Sequence, residues 1–380
     1  MRLRWISICF AIWLSAALVS SMALAQERGR SSGVWRFAVS GDSRNCGDIV
    51  MPAIAARVKA DGTAFYWHLG DFRAIANFDE DYHQLYPNAV IAQYENEAWD
   101  DFIERQIKPF GDMPVFLGIG NHETILPKTR TEWLTQFADW LLTPSLRAQR
   151  LADRASDHKL KAYYHWMERG VDFVSMDNGS DEQFDNDQVS WIKGVLGRAA
   201  RNAGVRSVVV GMHRALPDSL SAGHSMNDSA QGAASGRSVY DALLAFRRSS
   251  SKPVYVLASH SHLFMRNVYA TACRAETDVL PGWIVGTAGA VRYRLPKGVV
   301  ESQDAIPDTY GYLLGTVAAN GTISFEFKKI AESDVPKSTV SQYTPAFVHK
   351  CFTENKDPYT PDGPMCNTTA QPPVSALPQK

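Results

Sequence analysis

The stretch PVFLGIGNHE, residues 114–123, is an apolar run that breaks at glycine and ends in Asn121, His122 and Glu123. Four other apolar runs also end at metal-ligating side chains, which are Asp42, Asp71, His213, and the pair His260 and His262. Short apolar runs of this kind predict buried strands. In open α/β sheets, ligands bind beyond the carboxyl ends of the strands. We therefore predict that these five strand ends converge on one metal site.

Composition limits what such a site can serve. The 380 residues are 45% hydrophobic and 11% aromatic, which is enough for one large core or two smaller ones. The formal net charge of -1 provides no overall field to attract a nucleic-acid backbone. A wholly disordered chain is excluded, nucleic-acid binding is not expected, and an anionic substrate would have to be recognised locally.

Residues 1–25 have the features of an export signal. Two arginines precede an apolar run at 6–22, and Ala-Leu-Ala at 23–25 has small residues where a signal peptidase reads. We expect a mature, secreted or periplasmic chain from Gln26. The alternative is an uncleaved anchor, but the run is shorter than the roughly 20 apolar residues that a membrane span needs. No later stretch is predicted to span a membrane.

Export makes disulfides the preferred interpretation of the cysteines. Loss of Cys9 would leave four of the five, which are Cys46, Cys273, Cys351 and Cys366. We favour pairing Cys351 with Cys366, because they are close in sequence, and therefore Cys46 with Cys273. A thiolate metal site is the competing interpretation, although the chain has no Cys-x-x-Cys spacing.

Strands and helices are predicted to alternate early in the chain, and a β-rich part follows. Asn320-Gly321 between alternating runs at 310–317 and 322–328 is a strong hairpin signal. This order indicates an α/β protein with a mixed, two-layered sheet. Further expectations are a strand pair turning at Arg169-Gly170, a helix over 187–201 capped by Asp185 or Asp187, a flexible loop over 217–236 and a helix over 239–248.

The ligand types at the strand ends suit hard or borderline metal ions. Three histidines, two aspartates and an asparagine are ligands for Zn, Mn or Fe. A carboxylate can bridge two ions, and two ions about 3.5–4 Å apart can clamp the attacking and leaving oxygens of a displacement at phosphorus. Metal-activated hydroxide would be the nucleophile, so no protein nucleophile is needed.

The motifs at these ends, in chain order, resemble those of the calcineurin-like metallophosphoesterases, which include the purple acid phosphatases. They are GD at 41–42, GD at 70–71, GNHE at 120–123, GMH at 211–213 and SHSH at 259–262. The resemblance implies a four-layer α/β/β/α sandwich of two mixed sheets flanked by helices, with two metal ions. It also implies roles for individual residues: Asp42 and His262 at the first metal, Asn121, His213 and His260 at the second, Asp71 as the bridge, and His122 as the catalytic acid.

Two positions depart from the family pattern. Arg44 stands where many members have the histidine of Asp-x-His, and Ala74 stands where purple acid phosphatases have a tyrosine. The first metal therefore lacks one protein ligand, which water, Asn45 or another side chain could replace. Arg44 could bind phosphate oxygens, since its guanidinium matches them bidentately. A salt bridge from Arg44 to a carboxylate is the equally open alternative, as it is for Arg73 and Arg214.

The resemblance also divides the chain. Residues 26–335 would form the metallophosphoesterase catalytic domain, with insertions near 72–110 and 124–165 that are either a lid or packed surface helices. Residues 336–380 would be an appendage closed by a disulfide, with a disordered end.

Other polar residues near the motifs have more modest expected roles. We expect His68 to be a hydrogen-bonded core residue and Glu123 to fix the GNHE loop. Asn178 is a candidate for orienting the cleft. His165 and His224 are expected at the surface rather than in the cleft.

The predicted function is a secreted, metal-dependent phosphoesterase that hydrolyses phosphate mono- or diesters at a dinuclear site. Its partner would be a small phosphorylated substrate. The alternative is a catalytically degenerate relative that binds a phosphorylated ligand without hydrolysing it, because Arg44 has emptied the first metal position.

Overall fold

The computed structural model describes residues 33–364. The predicted signal peptide, Cys366 and the predicted disordered end lie outside these residues. The strands are β1 Trp35–Ser40, β2 Tyr66–His68, β3 Val115–Leu117, β4 Tyr164–Glu168, β5 Val171–Ser175, β6 Ser207–Gly211, β7 Val254–Ala258, β8 Phe264–Arg266, β9 Gly282–Val285, β10 Ala305–Ile306, β11 Tyr310–Val317 and β12 Ile323–Ile330. The α-helices are α1 Gly47–Ala60, α2 Glu80–Leu85, α3 Ile91–Phe102, α4 Arg130–Gln136, α5 Ala138–Leu141, α6 Pro144–Asp153, α7 Asn186–Arg201, α8 Ala230–Ser250, α9 Lys337–Tyr343 and α10 Pro345–Thr353.

The strands form two mixed sheets. The first has five strands in the order β12-β11-β1-β2-β3, and the second has seven in the order β10-β8-β9-β7-β6-β5-β4. Strands β1, β2 and β3 are parallel to one another, as are β5, β6, β7 and β9. Antiparallel strands complete both sheets. The parallel strands of each sheet therefore deliver their carboxyl ends to one edge.

Interior strands such as β5, β6 and β7 are buried on both faces, so they are apolar rather than alternating. The edge strand β12 has exposed positions. Phe37 of β1 and Val209 of β6 belong to one aromatic-rich cluster between the sheets. Ala38 instead contacts the cluster formed with α1, α9 and α10, and Val210 contacts the cluster formed with α7 and α8. This is the predicted four-layer α/β/β/α sandwich.

Several local predictions are confirmed. Strands β11 and β12 pair through Asn320-Gly321, where Gly321 has a positive φ of 85°. Strands β4 and β5 turn at Arg169-Gly170. Helix α7 is capped by Asp185, whose side chain accepts a hydrogen bond from the amide of Gln188.

The flexible loop predicted for 217–236 is wrong in its second half. Helix α8 already begins at Ala230, and its cap is Ser229, whose hydroxyl accepts from the amide of Gly232. Gly232, Ala233 and Gly236, near the start of this helix, are buried, and a Cβ on Gly236 would lie 2.5 Å from a ring carbon of Pro217. Glycine at this position permits close packing. The Ser- and Gly-rich composition of the segment had indicated a flexible loop instead.

Both predicted disulfide pairings are wrong. Cys46 is bonded to Cys351, which excludes Cys351 with Cys366 and Cys46 with Cys273. Cys273 is itself disulfide-bonded. The bond joins the start of α1 to α10, and both cysteines are buried in the same outer cluster. Much of the segment after residue 336 therefore packs on the five-stranded sheet.

The two insertions fold as helices against the sandwich. Trp133 of α4 and Leu146 of α6 are buried in the cluster between the sheets, and Tyr82 and Tyr94 of α2 and α3 pack on each other. Within residues 33–364, the structure has no helix long and apolar enough to cross a membrane.

Candidate metal centre

The carboxyl ends of β1, β2, β3, β6 and β7 meet at one edge of the sandwich. The loops that follow them carry the six predicted ligands. The two sheets contact each other directly here: the amide of His260 donates to Asp42 Oδ2 at 2.7 Å, and Nδ1 of His213 is 3.1 Å from the carbonyl of Leu69. The predicted convergence of the strand ends is therefore a feature of the structure.

Four buried side chains form a compact set of metal-ligating groups. Asp42, Asp71, His213 and His260 each place one nitrogen or oxygen within 4.8 Å of those of the other three. Asn121 joins them, because its Oδ1 is 3.0 Å from Nε2 of His213. His262 lies on the other side of Asp42, with Nε2 at 3.3 Å from Oδ1.

Left-handed backbone conformations aim these side chains inward. Asp42, Asp71 and His260 have φ values of 60°, 62° and 66°. Such conformations are uncommon outside glycine and cost on the order of 1–3 kcal/mol each, so they persist where the surrounding structure fixes them. Gly120 is required by the same crowding, since a Cβ there would lie 2.2 Å from Asp71 Oδ1.

The histidine tautomers direct lone pairs into the cluster. Nδ1–H of His213 donates to the carbonyl of Leu69, so Nε2 is left as an acceptor. That nitrogen faces Asp71 Oδ1 at 3.3 Å, Asn121 Oδ1 and His260 Nδ1 at 3.1 Å. Acceptors that converge in this way need a shared proton or a metal ion between them.

The charge state also suits a cation. Burial raises the pKa of Asp71, but the charges of His213, His122 and Arg44 outweigh it and hold the pKa well below its ordinary value. Burial holds the pKa of His260 well below its ordinary value, so this imidazole is neutral and can bind a metal. For His213, burial lowers the pKa, but Asp71 outweighs burial and raises it. A proton on His213 would thus occupy the place that a metal ion could take.

Two carboxylate oxygens of the centre lack a hydrogen bond. Asp42 Oδ1 and Asp71 Oδ2 are buried and accept none. Buried polar atoms are nearly always satisfied, and buried charges are paired or bound to metals. The donor set of Asp71, Asn121, His213 and His260 therefore fits a Zn, Mn or Fe ion.

Arg44 occupies the other half of the centre. One terminal nitrogen lies 2.9 Å from Nε2 of His262, the other contacts Nε2 of His122, and Nε is 3.7 Å from Asp71 Oδ2. Its side chain is only 14% exposed. The guanidinium thus lies beside His262, Asp71 and His122, to which the family resemblance gave the roles of first-metal ligand, bridge and catalytic acid.

His122 begins a short 3₁₀ turn after β3. Its Nδ1 is 2.8 Å from the carbonyl of Ala74, to which it donates, and its amide donates to Asp71 Oδ1 at 3.0 Å. Burial lowers the pKa of His122, and the charge of Arg44 opposes the raising effect of Asp71. The ring is therefore positioned beside the cluster but is not one of its four converging groups.

The supporting residues behave as predicted. Glu123 accepts hydrogen bonds from the amides of Asp71, Phe72 and Gly120 and so fixes two of the loops together. Asn178 bonds both the amide and the carbonyl of Arg214 and so holds the backbone after His213. His68 is a core residue bonded to the hydroxyl of Ser43.

The two arginines that were weaker phosphate-binding candidates are engaged elsewhere. Arg73 is fully buried among Asp48, Asp79, Asp81 and Asp101. Arg214 pairs with acidic groups of the neighbouring loops, which are Glu182 and Asp228. For both, the salt-bridge alternative is the one found.

Sequence reasoning missed an aromatic group beside the centre and misplaced two histidines. Tyr293 stacks on His262 with ring centroids 4.1 Å apart. His224, expected at the surface, lies between Tyr293, Tyr359 and His260, whose ring centroid is 4.8 Å away. His165 is buried and ion-paired rather than exposed. No spacing signal marks Tyr293 or His224, because they come from loops far apart in the chain.

The two-sheet sandwich with acidic and imidazole ligands at its strand ends defines the calcineurin-like metallophosphoesterase fold. The chain is similar to a purple acid phosphatase from yellow lupin (Lupinus luteus) seeds, with a TM-score of 0.54 and 16% identity. The similarity covers 78% of this chain and 52% of that one, so the chain spans about half the length of the lupin enzyme. The likeness confirms the predicted fold.

Two further solved structures are similar to the chain. PhoD has 12% identity, a TM-score of 0.48, and coverage of 84% of this chain and 77% of that one. A dimetal phosphatase from Danio rerio has 11% identity, a TM-score of 0.49, and coverage of 78% and 96%. Neither the comparison with known protein families nor that with curated protein sequences finds a match.

Proposed function

We propose that this protein is a metal-dependent phosphoesterase that hydrolyses phosphate mono- or diesters. The observation that carries the proposal is the convergence of Asp42, Asp71, His213 and His260 within 4.8 Å in a buried cluster. The similarity of the fold to that of a purple acid phosphatase supports it. The substrate would be a small phosphorylated molecule, recognised locally rather than through overall charge.

Some residues of the centre would bind a metal ion, and others would bind the phosphate group. Asp71, Asn121, His213 and His260 would hold the ion. When bound, a metal lowers the pKa of water to give a nucleophile at neutral pH and offsets negative charge at phosphorus. The resemblance implies that Asp42 and His262 would hold the first metal of the family, with Asp71 serving both ions, but Arg44 lies at that first position.

Arg44 and His122 would act on the substrate. A guanidinium has five N–H donors, and the contacts of Arg44 with His122, His262 and Asp71 leave donors for phosphate oxygens. His122 would protonate the leaving oxygen from Nε2 when its ring is doubly protonated, since Nδ1–H is held by the carbonyl of Ala74. Nε2 would then no longer accept from Arg44, whose N–H group would turn to the phosphate. General acid catalysis of this kind contributes about 10²–10⁴ to the rate.

Export is part of the proposal. The N-terminal 25 residues have the pattern of a signal peptide, and the Cys46–Cys351 disulfide is expected in an oxidising compartment. Sequencing the amino terminus of the protein recovered from outside the cytoplasm should find Gln26 first. An intact Met1 would contradict cleavage.

The second candidate function is binding without turnover. It is favoured by one observation: the guanidinium of Arg44 lies 2.9 Å from the His262 nitrogen that would otherwise ligate the first metal. A protein of this kind would bind a phosphorylated ligand through Arg44 and the remaining metal position.

Hydrolysis of a chromogenic phosphate monoester and of the matching diester tests the proposal. The mature chain would be assayed with added Mn, Zn or Fe, with a chelator, and as the Asp71→Asn variant. Turnover that both the chelator and the substitution abolish supports a phosphoesterase, and the preferred ester defines its type. Tight binding of phosphate without hydrolysis of either ester would instead favour the binding protein.

A further inference from the structure

We infer that Arg44 takes the place of the first metal ion, so that the centre holds one metal ion per chain with the guanidinium as its second cation. This inference rests on the proposed function for its setting and narrows it. The position that the family fills with a metal would here be filled by the protein itself.

The first step concerns the lone pair of His262. Its Nδ1–H donates to the carbonyl of Val291 at 2.7 Å, so Nε2 carries the only lone pair of the ring. That lone pair accepts from Arg44 at 2.9 Å. A metal on the same lone pair would be about 2.0–2.1 Å from Nε2 and would collide with the guanidinium nitrogen. His262 can therefore serve Arg44 or a metal, but not both.

The second step concerns charge. The two carboxylates that face this position, Asp42 and Asp71, are buried, and each has one oxygen without a hydrogen bond. The fixed positive charge of Arg44 lies beside Asp71, with Nε at 3.7 Å from Oδ2. The guanidinium thus supplies positive charge where the first metal would.

The third step concerns the backbone of the Arg44 loop, which is held from both sides. The amide of Ser43 donates to the carbonyl of Asp71 at 2.9 Å, and the amide of Asn45 donates to Asp79 at 2.6 Å. Cys46 is fixed by its disulfide. The loop therefore presents Arg44 to the centre as a built feature rather than as an exposed side chain that folds inward.

The fourth step removes the other protein ligand considered for the first position. The side-chain amide of Asn45 donates to Glu80 at 2.8 Å, and its oxygen accepts from the amide of Val291 at 3.1 Å. Asn45 is thus committed to neighbouring loops. The residues present do not fit a metal at the first position, whereas the set around Asp71 and His213 fits one at the second.

Metal content per chain tests this inference without reference to activity. The full-length mature protein, reconstituted with excess Mn and freed of unbound metal, should hold one ion per chain by elemental analysis. His260→Ala should lower the count from one to zero, whereas His262→Ala, two residues away, should leave it at one. Arg44→His should raise it to two, and Arg57→His, at an exposed position in α1, is the matched control that should not.

The electron paramagnetic resonance of bound Mn gives a second readout. Isolated ions are expected for the wild-type protein, and spin-coupled pairs for Arg44→His. Two ions per wild-type chain, a coupled pair, or no bound ion would each overturn the inference. One ion per chain without hydrolysis would support the inference and refute the proposed function. Two ions per chain with hydrolysis would refute the inference and support the proposed function. Thermal unfolding of each variant separates loss of a ligand from loss of the fold.

Discussion

At the scale of single residues, His122 differs from the other histidines of the centre in what its Nε2 faces. The Nε2 atoms of His213 and His262 lie 3.3 Å from Asp71 and Asp42. The Nε2 atom of His122 contacts Arg44, as that of His262 also does, but it is 3.9 Å from Asp71. A nitrogen beside a guanidinium is a poor metal ligand. It is well placed to exchange a proton with a phosphate that Arg44 binds.

Replacing His122 by alanine should therefore separate catalysis from metal binding. We expect the turnover number to fall by about 10²–10⁴, as for loss of a general acid, with the metal content unchanged. The measurement is kcat for the better ester beside elemental analysis of the same sample. His83→Ala, at an exposed position on α2, should change neither quantity. A parallel loss of metal would show that His122 is a ligand.

The convergence of the candidate ligands could be predicted, but not the orientation of Arg44. Each candidate ligand follows an apolar run, and runs of this kind become parallel strands whose ends meet. The direction of a long side chain depends on partners from distant loops, here His122 and His262. The same holds for Tyr293 and His224, which reach the centre from loops without a motif.

At the scale of elements, the strands were easier to predict than the small-residue helices. The interior strands are buried on both faces, so continuous apolar runs indicated them directly, and Asn320-Gly321 indicated the hairpin of β11 and β12. Helix α8 starts with AQGAASG, where the two glycines and the serine lower the helix propensity and packing of Gly236 against Pro217 stabilises the helix. Tertiary contacts override propensity there.

Helix α6 is tied to the seven-stranded sheet by a buried histidine. His165 of β4 lies between Asp153 at the end of α6 and Asp172 of β5, at 2.5 Å and 2.7 Å. Arg198 of α7 also faces Asp153, at 2.9 Å. Burial lowers the pKa of His165, but hydrogen bonds to both carboxylates outweigh it and raise the pKa to about 9.

This pKa makes the stability of the protein depend on pH in a defined direction. The folded pKa of about 9 is above the unfolded value of about 6.5. The contribution of His165 is therefore full below pH ~6.5 and is lost as the pH rises through ~9. A pKa shift of this size corresponds to a contribution of about 3 kcal/mol to the free energy of unfolding.

Urea unfolding of the wild-type protein and of His165→Asn, at pH 6 and at pH 9.5, measures the effect. The difference between their free energies of unfolding should shrink at the higher pH, by up to about 3 kcal/mol. His349→Asn, at an exposed position on α10, provides a matched control in which little change is expected. A difference that is constant with pH would mean that His165 does not stay protonated in the folded state.

At the scale of the whole molecule, a disulfide joins an early and a late helix on one face of the five-stranded sheet. Cys46 precedes α1, and Cys351 lies on α10, 305 residues later. Both helices cover the same face of the sheet, and the hydroxyl of Tyr343 donates to Asp48 at 2.6 Å. Sequence proximity favoured a local Cys351 pairing, but the pairing depends on which helices share a face. That follows from the topology of the whole fold.

The long loop that this bond closes predicts a large effect on stability. Removing the bond with Cys351→Ala should lower the free energy of unfolding by about 2–5 kcal/mol, because the unfolded chain loses a constraint between distant residues. Alanine is suited to the site since both cysteines are buried in an apolar cluster. Denaturant unfolding without reductant measures the loss.

A double-variant comparison separates the bond from the individual side chains. Cys46→Ala together with Cys351→Ala should destabilise the protein no more than either change alone, because one bond is lost in every case. Losses that add would mean that the two cysteines act separately and that the bond is absent.

Cys46 lies two residues after Arg44, so the same variants test whether the disulfide positions the Arg44 loop at the metal centre. If the disulfide holds the Arg44 loop in place, the metal count of the double variant should rise above that of the wild-type protein.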